Sequence, residues 1–217
     1  MVQWFETRTR KTLKLKYKLS ILAIIFVILL IFAKPVLVSL ARHLDVPNTN
    51  KTSDVMIVKG GLSLAEYVVM QAIKVYEKGL ARHIVFVLHA YDLKPTIFGV
   101  PYYDRLVATA LDSLGIPRDD FSIMLMQVTD PYTYNTAKAL ADSLPDISSI
   151  LVFSDNFHIR RSYLAYKKIF EPRGVQVNAC SMPIYLHADN WWHYANGWRR
   201  VVDEYIKLIF YRIKGYI

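Results

Sequence analysis

One cysteine, Cys180, is all the thiol this 217-residue chain carries, so no intrachain disulfide can hold it together. Set in "VQVNACSM", with no neighbour to activate it, it reads as a small buried residue rather than a reactive thiol. Internal repeats and low-complexity tracts are missing as well, which excludes a solenoid or a polar disordered polymer. Ser154 has no Gly-x-Ser-x-Gly elbow around it, so a serine nucleophile lacks support. The spacing of His187, Asp189 and His193 in "HADNWWH" fits no metal motif. That segment reads instead as a helix start capped by Asp189 or Asn190. No metal or cofactor is assigned.

Charge is absent from 19–33, "LSILAIIFVILLIFA", and the apolar pattern runs on through "KPVLVSLA" to Ala41, interrupted only by Lys34. A helix of about 20 apolar residues crosses a bilayer, and a lysine near its end can snorkel. Before the run stand Arg8, Arg10, Lys11, Lys14, Lys16 and Lys18 against Glu6, which is +5 of the formal net charge of +9. A nucleic-acid surface would spread its charge along a patch or groove; charge gathered at one end argues against such a partner. It fits a basic cytoplasmic segment, 1–18, ahead of a single-pass anchor, 19–41. A polar connector, 42–53, then leads to a domain, 54–217, outside the cytoplasmic (inner) membrane. A cleaved signal peptide is the alternative, because Ser39-Leu40-Ala41 has the small-x-small form of a cleavage site. Against it, Lys34 and Pro35 intrude and the triplet lies beyond the main run.

Downstream, short apolar runs alternate with helical patterns. Strands are expected at 54–59, 83–89, 121–128, 149–154 and 175–180. Helices are expected at 63–79, 102–115, 133–144 and 158–170, with a long tail helix from Asn190 softened at Gly197. Such alternation builds βαβ units, whose right-handed crossovers give an α/β fold: a doubly wound, mostly parallel, Rossmann-like five-stranded sheet.

In that architecture ligands bind beyond the carboxyl ends of the strands. The residues there are polar and ionisable: Lys59, Gly60 and Gly61 after the first strand; His89, Tyr91 and Asp92 after the second; Thr129, Asp130, Thr133, Tyr134 and Asn135 after the third. After the fourth, "ILVFSDNFHIRRSYLAY" brings Ser154, Asp155, Asn156, His158 and Arg161. Gly60-Gly61 suits a sharp turn that exposes N–H groups to an anion, or simply a tight strand-to-helix connection. His158 and Arg161 stand three apart, on one helix face, with Asp155 or Asn156 placed to cap. An imidazole, a guanidinium and free N–H groups make an anion-binding corner. Its plainer alternative is a capped helix in which Arg161 pairs with Asp155 and Arg160 points to the surface. His158 and Asp155 are the candidates for acid–base chemistry. In the tail, aromatic residues from Trp191 to Tyr216 mix with arginines and lysines, a composition suited to a membrane interface or to a partner's membrane segment.

"VFSDNFHIRRS" resembles the strand–turn–helix signature of the YdcF/SanA/ElyC family, in which Thr/Ser-Ser/Asp precedes His-x-x-Arg. "DVMIVKGG", the Ala72–Ala81 spacing, "LGIP", "TYNTA" and "WRRVVDEYIKLIFY" are similar to its other segments. The likeness covers nearly the whole chain. Departures fall at Val68, where the family often has arginine, at "LHAYD", where a Gly-rich turn is usual, and at Thr133–Ala137, where an acid is missing.

The resemblance implies a cell-envelope role, connected with peptidoglycan and its lipid-phosphate carrier or with the envelope barrier. S-adenosylmethionine, associated with a YdcF-like relative, is set aside for an extracytoplasmic site. The expectation is an anchored protein that binds an anionic, phosphate- or carboxylate-bearing metabolite or lipid-linked precursor and hydrolyses or transfers it. Gly60, Gly61, Thr133, Asn135, Ser154, Asp155, His158 and Arg161 would form the site. The alternative is a non-catalytic scaffold or interaction subunit of an envelope membrane complex, docking through its C-terminal helix.

Overall fold

A computed structural model describes residues 15–60, 65–89 and 103–217. The element order is α1 (Leu15–Leu44), β1 (Ser53–Lys59), α2 (Glu66–Glu77), β2 (Ala81–His89), α3 (Tyr103–Ser113), β3 (Phe121–Met126), α4 (Tyr132–Ser143), β4 (Ser149–Asp155), α5 (Ile159–Phe170), β5 (Gln176–Met182) and α6 (Ala195–Ile213). The five strands form one all-parallel sheet in the order β3-β2-β1-β4-β5. The chain winds outward from β1 to β3, then returns to place β4 on the other side of β1. The switch point therefore lies between β1 and β4.

Side-chain alternation along the strands sorts the core into two layers. Val55, Ile57, Val85, Val87, Ile150 and Val152 face α4 and α5, where Leu140, Tyr166 and Phe170 meet them. Met56, Val58, Ile84, Phe86, Leu151 and Phe153 face α2 and α3, against Val69, Ile73 and Leu111. Both sheet faces are covered, which is why the strands read as unbroken apolar runs rather than as alternating ones.

α1 is long and apolar enough to cross a membrane. About 20 residues suffice for that, and the last turns do something else. Ala41 and Leu44 are buried with Phe157, Leu186, Trp191 and Val201. The Trp191 indole donates to the Leu37 carbonyl at 3.1 Å, and the Tyr205 hydroxyl donates to Leu40 at 2.9 Å. The helix thus runs past Ala41, and its end is part of the domain. Cleavage after Ala41 would strip Trp191 and Tyr205 of these acceptors. Arg160, expected at the surface, instead donates to the carbonyls of His43 and Asp45 and fastens the end of α1.

The connector is not loose either. Thr49 N–H donates to the Ala179 carbonyl at 3.0 Å and Asn48 Oδ1 accepts from Ser181 N–H at 2.6 Å, so the chain lies along the outer edge of β5. The tail helix begins at Ala195 rather than at Asn190: Trp191–His193 form a separate short turn, Tyr194 is extended, and Gly197, expected as a soft break, sits inside α6. A Cβ there would overlap the Trp191 carbonyl, so glycine permits a close approach rather than a bend. Cys180 is buried and free, and burial pushes its thiol pKa up.

Candidate functional site

Lys59 ends β1 and His158 opens α5 just past β4, so the switch point has a cation on one side and an imidazole on the other. An open cleft of about 460 Å³ lies there. Lys59, Gly60, His89, Thr133, His158 and Arg161 line it from the sheet side. Asp130 and Tyr132 contribute from the start of α4, and Lys207, Phe210 and Tyr211 from α6.

Thr133, almost fully buried, joins the two cations. Its Oγ1 accepts from Lys59 Nζ at 2.8 Å and from Arg161 Nη1 at 3.0 Å. Arg161 turns the rest of its fork to Glu204, with Nε to Oε2 at 2.8 Å and Nη2 to Oε1 at 3.0 Å. The Tyr211 ring lies under the guanidinium, 5.0 Å from its carbon to the ring centroid. Arg161 also sets the state of His158. Its Nη2 lies 2.9 Å from His158 Nδ1, and a guanidinium only donates. Nδ1 must then accept, which leaves the proton of a neutral imidazole on Nε2. That nitrogen has no hydrogen-bond partner among the described residues.

Electrostatics follow the geometry. Burial, reinforced by the Arg161 charge, pushes His158 below its ordinary value and keeps it neutral. Burial alone would raise Glu204, but the nearness of His158, whose Nδ1 lies 3.3 Å from Oε1, and the two hydrogen bonds from Arg161 outweigh it and hold the carboxyl well below the usual range. Burial also opposes the charge on Arg161, and Glu204 more than offsets this. Among the described residues Lys59 has no carboxylate in direct contact: burial first, then the Arg161 charge, lower it to about 7. His89, bonded through Nε2 to Thr136 Oγ1 at 3.0 Å, is lowered to about 4 by burial and by Lys59.

Of the residues singled out from sequence, the structure brings Lys59, Gly60, His89, Asp130, Thr133, His158 and Arg161 to the cleft. Gly61 lies outside the described residues, as do Tyr91 and Asp92. The Gly60 N–H is not a spare donor for an anion, because it bonds the Val87 carbonyl at 2.9 Å and extends the sheet. Asn135 does not line the cleft; its Nδ2 donates to the Thr129 carbonyl and holds the turn before α4. Ser154 lies in β4 beside Ser181 and also stands outside the lining. Asp155 accepts from the N–H groups of Phe157 and His158 with Oδ1 and pairs with Arg200 through Oδ2 at 2.9 Å. One oxygen holds the turn ahead of α5, the other ties that turn to α6, and Asp155 does not line the cleft. The partner foreseen for Arg161, Asp155, is thus replaced by Glu204.

Sequence reasoning missed Glu204, Lys207 and Tyr211. A signal existed: Gly197, Val201, Glu204 and Tyr211 recur at helical spacing, so an acid sits on the buried face of an otherwise apolar pattern. Among the described residues no group of three or more His, Cys, Asp or Glu is placed to share a metal ion. No protein-family model matches the chain, and no curated protein matches it.

Proposed function

We propose that this chain is a membrane-anchored envelope protein whose cleft binds an anionic metabolite, a phosphate- or carboxylate-bearing cell-wall or lipid-carrier compound. One observation carries the reading: Lys59 and Arg161 converge on a single neutral acceptor, Thr133 Oγ1, at the floor of an open cleft. Glu204 neutralises Arg161, whereas Lys59 has no carboxylate partner among the described residues; Lys207, on the wall, is paired with Asp203. A buried cation without a counter-ion is costly, and an anionic ligand removes that cost. The neutral His158 offers an N–H to the same anion and is the group placed to pass a proton, should the ligand be hydrolysed or transferred. Resemblance of the His-x-x-Arg block to the YdcF/SanA/ElyC pattern supports the envelope setting. The basic N-terminal segment supports a cytoplasmic N-terminus with the α/β domain on the far side.

The test is calorimetric titration of the full chain, in a zwitterionic detergent, with inorganic phosphate and then pyrophosphate. Saturable binding that Lys59→Met abolishes is expected. Heats that match buffer dilution for both anions would overturn the proposal.

One observation favours a second reading, a non-catalytic scaffold. Nε, Nη1 and Nη2 of Arg161 are all engaged by Glu204, Thr133 and His158, so the fixed cation of the motif is already satisfied within the fold. On that reading the cluster clasps α6 to the sheet. The same titration separates the two: under it neither anion binds, and Lys59→Met leaves envelope function intact.

A further inference from the structure

A surface helix ordinarily turns charge to solvent and apolar residues inward. α6 does not. Its inner face buries Gly197, Val201, Glu204 and Tyr211. Turned away from these, by helical spacing, is a line of large apolar residues: Trp198, Val202, Ile206, Ile209 and Ile213. All are exposed, Ile206 at 61% and Ile213 at 77%, too far for scattered surface leucines and isoleucines to explain, because they form one unbroken stripe. Arg199 and Arg212 border the stripe on either side, and Lys214 follows it; all three are exposed.

Two features say what covers it. The first is where α6 lies. It closes the carboxyl-end rim of the sheet, since Glu204 meets Arg161 and Val201 packs with Phe157 and Leu186 beyond β4 and β5. The second is where α1 leaves. Its final turns dock on that same rim, with Leu44 beside Phe157, Arg160 bound to the His43 carbonyl, and the His43 ring stacked on Tyr205 of α6. Leu37, Leu40 and His43 of α1 thus meet Trp191 and Tyr205, so α6 lies against the end of the apolar helix, and its exposed stripe starts from a helix that α1 itself touches. Basic flanks complement anionic headgroups, and Trp198, at the start of the stripe, is suited to the headgroup level.

We propose that α6 is an interfacial helix: its outer stripe lies in the lipid surface beside α1, so the domain rests on the bilayer by two contacts rather than hanging from one. This rests on α1 being a membrane anchor.

The test uses the full chain with Cys180→Ser, reconstituted into vesicles of phosphatidylethanolamine and phosphatidylglycerol. Single nitroxide labels are placed through Phe26→Cys, Asp203→Cys, Ile206→Cys or Ile209→Cys, and power saturation is measured with oxygen and with a water-soluble nickel chelate. Labels at 206 and 209 are expected to favour oxygen over nickel, as the label at 26 does, while the label at 203 favours nickel. If 26 favours oxygen but 206 and 209 favour nickel, the anchor stands and the interfacial helix is overturned. Should 206 and 209 be shielded from both reagents, another copy of the chain covers the stripe, and the proposal is likewise overturned. A label at 26 that favours nickel removes the anchor and this inference with it.

Discussion

Arg161 and Glu204, separated by 43 positions, form a two-point ion pair that joins the first turn of α5 to the middle of α6. Both side chains are nearly buried, at 7% and 11% exposure. The pair therefore sets the position of the last helix and, through Nη2, the tautomer of His158.

Breaking one side of such a pair leaves the other charge stranded. Glu204→Gln is expected to cost about 3–5 kcal/mol of unfolding free energy. Denaturant titration of the full chain in detergent checks this. The carboxyl is held below its ordinary value of 4.5 in the folded state, so its contribution is complete above that pH and fades as the pH falls below it. Wild type should lose stability on acidification below about pH 4.5. The variant should start lower and lose less across the same range.

Lys59 has a pH signature at the opposite end. An unfolded chain takes up the lysine proton near 10.5, whereas the folded protein waits until about 7. Over that interval the unfolded state holds more protons, so stability rises with pH between about 7 and 10.5. Lys59→Met is expected to flatten this rise, and thermal melts across the interval read the difference. Pyrophosphate at neutral pH should raise the wild-type melting temperature and leave that of Lys59→Met unchanged.

Gly197→Ala tests the approach of α6 to the Trp191 carbonyl. Helix propensity alone would make alanine stabilising by about 1 kcal/mol. The steric conflict with Trp191 reverses the sign, and a net loss of about 1–3 kcal/mol is expected. Gly197→Ala that melts above wild type would show that the contact can relax.

Much of the fold was legible in the sequence because each βα unit announces itself locally. The run Ile150–Phe153 is apolar at every position, and Gly79 stops α2 in the left-handed conformation its position suggests, at φ 73°. The His158–Arg161 spacing was legible for the same reason, since both lie within one turn. Glu204 was not, because its partner is set by how α6 crosses the rim, and no local pattern encodes a crossing. Asp155 stays out of the cleft for a physical reason: its carboxylate serves the N–H groups of the turn just ahead of α5, and Arg200 occupies what remains. Gly60 does line the cleft, but its N–H is spent on Val87, because a glycine after a strand continues the ladder as readily as it opens a loop.

The strip of chain from Asp45 to Thr52 has a consequence for anyone who would trim the protein. A parallel sheet presents raw hydrogen-bonding groups at its outermost strand, and here the exit from α1 occupies some of them, at Ala179 and Ser181. Cutting the chain just ahead of Ser53 to obtain a detergent-free fragment would peel that cover away. The fragment would carry a bare flank ready to pair with its own kind, so its solubility would fall with the very step taken to improve it.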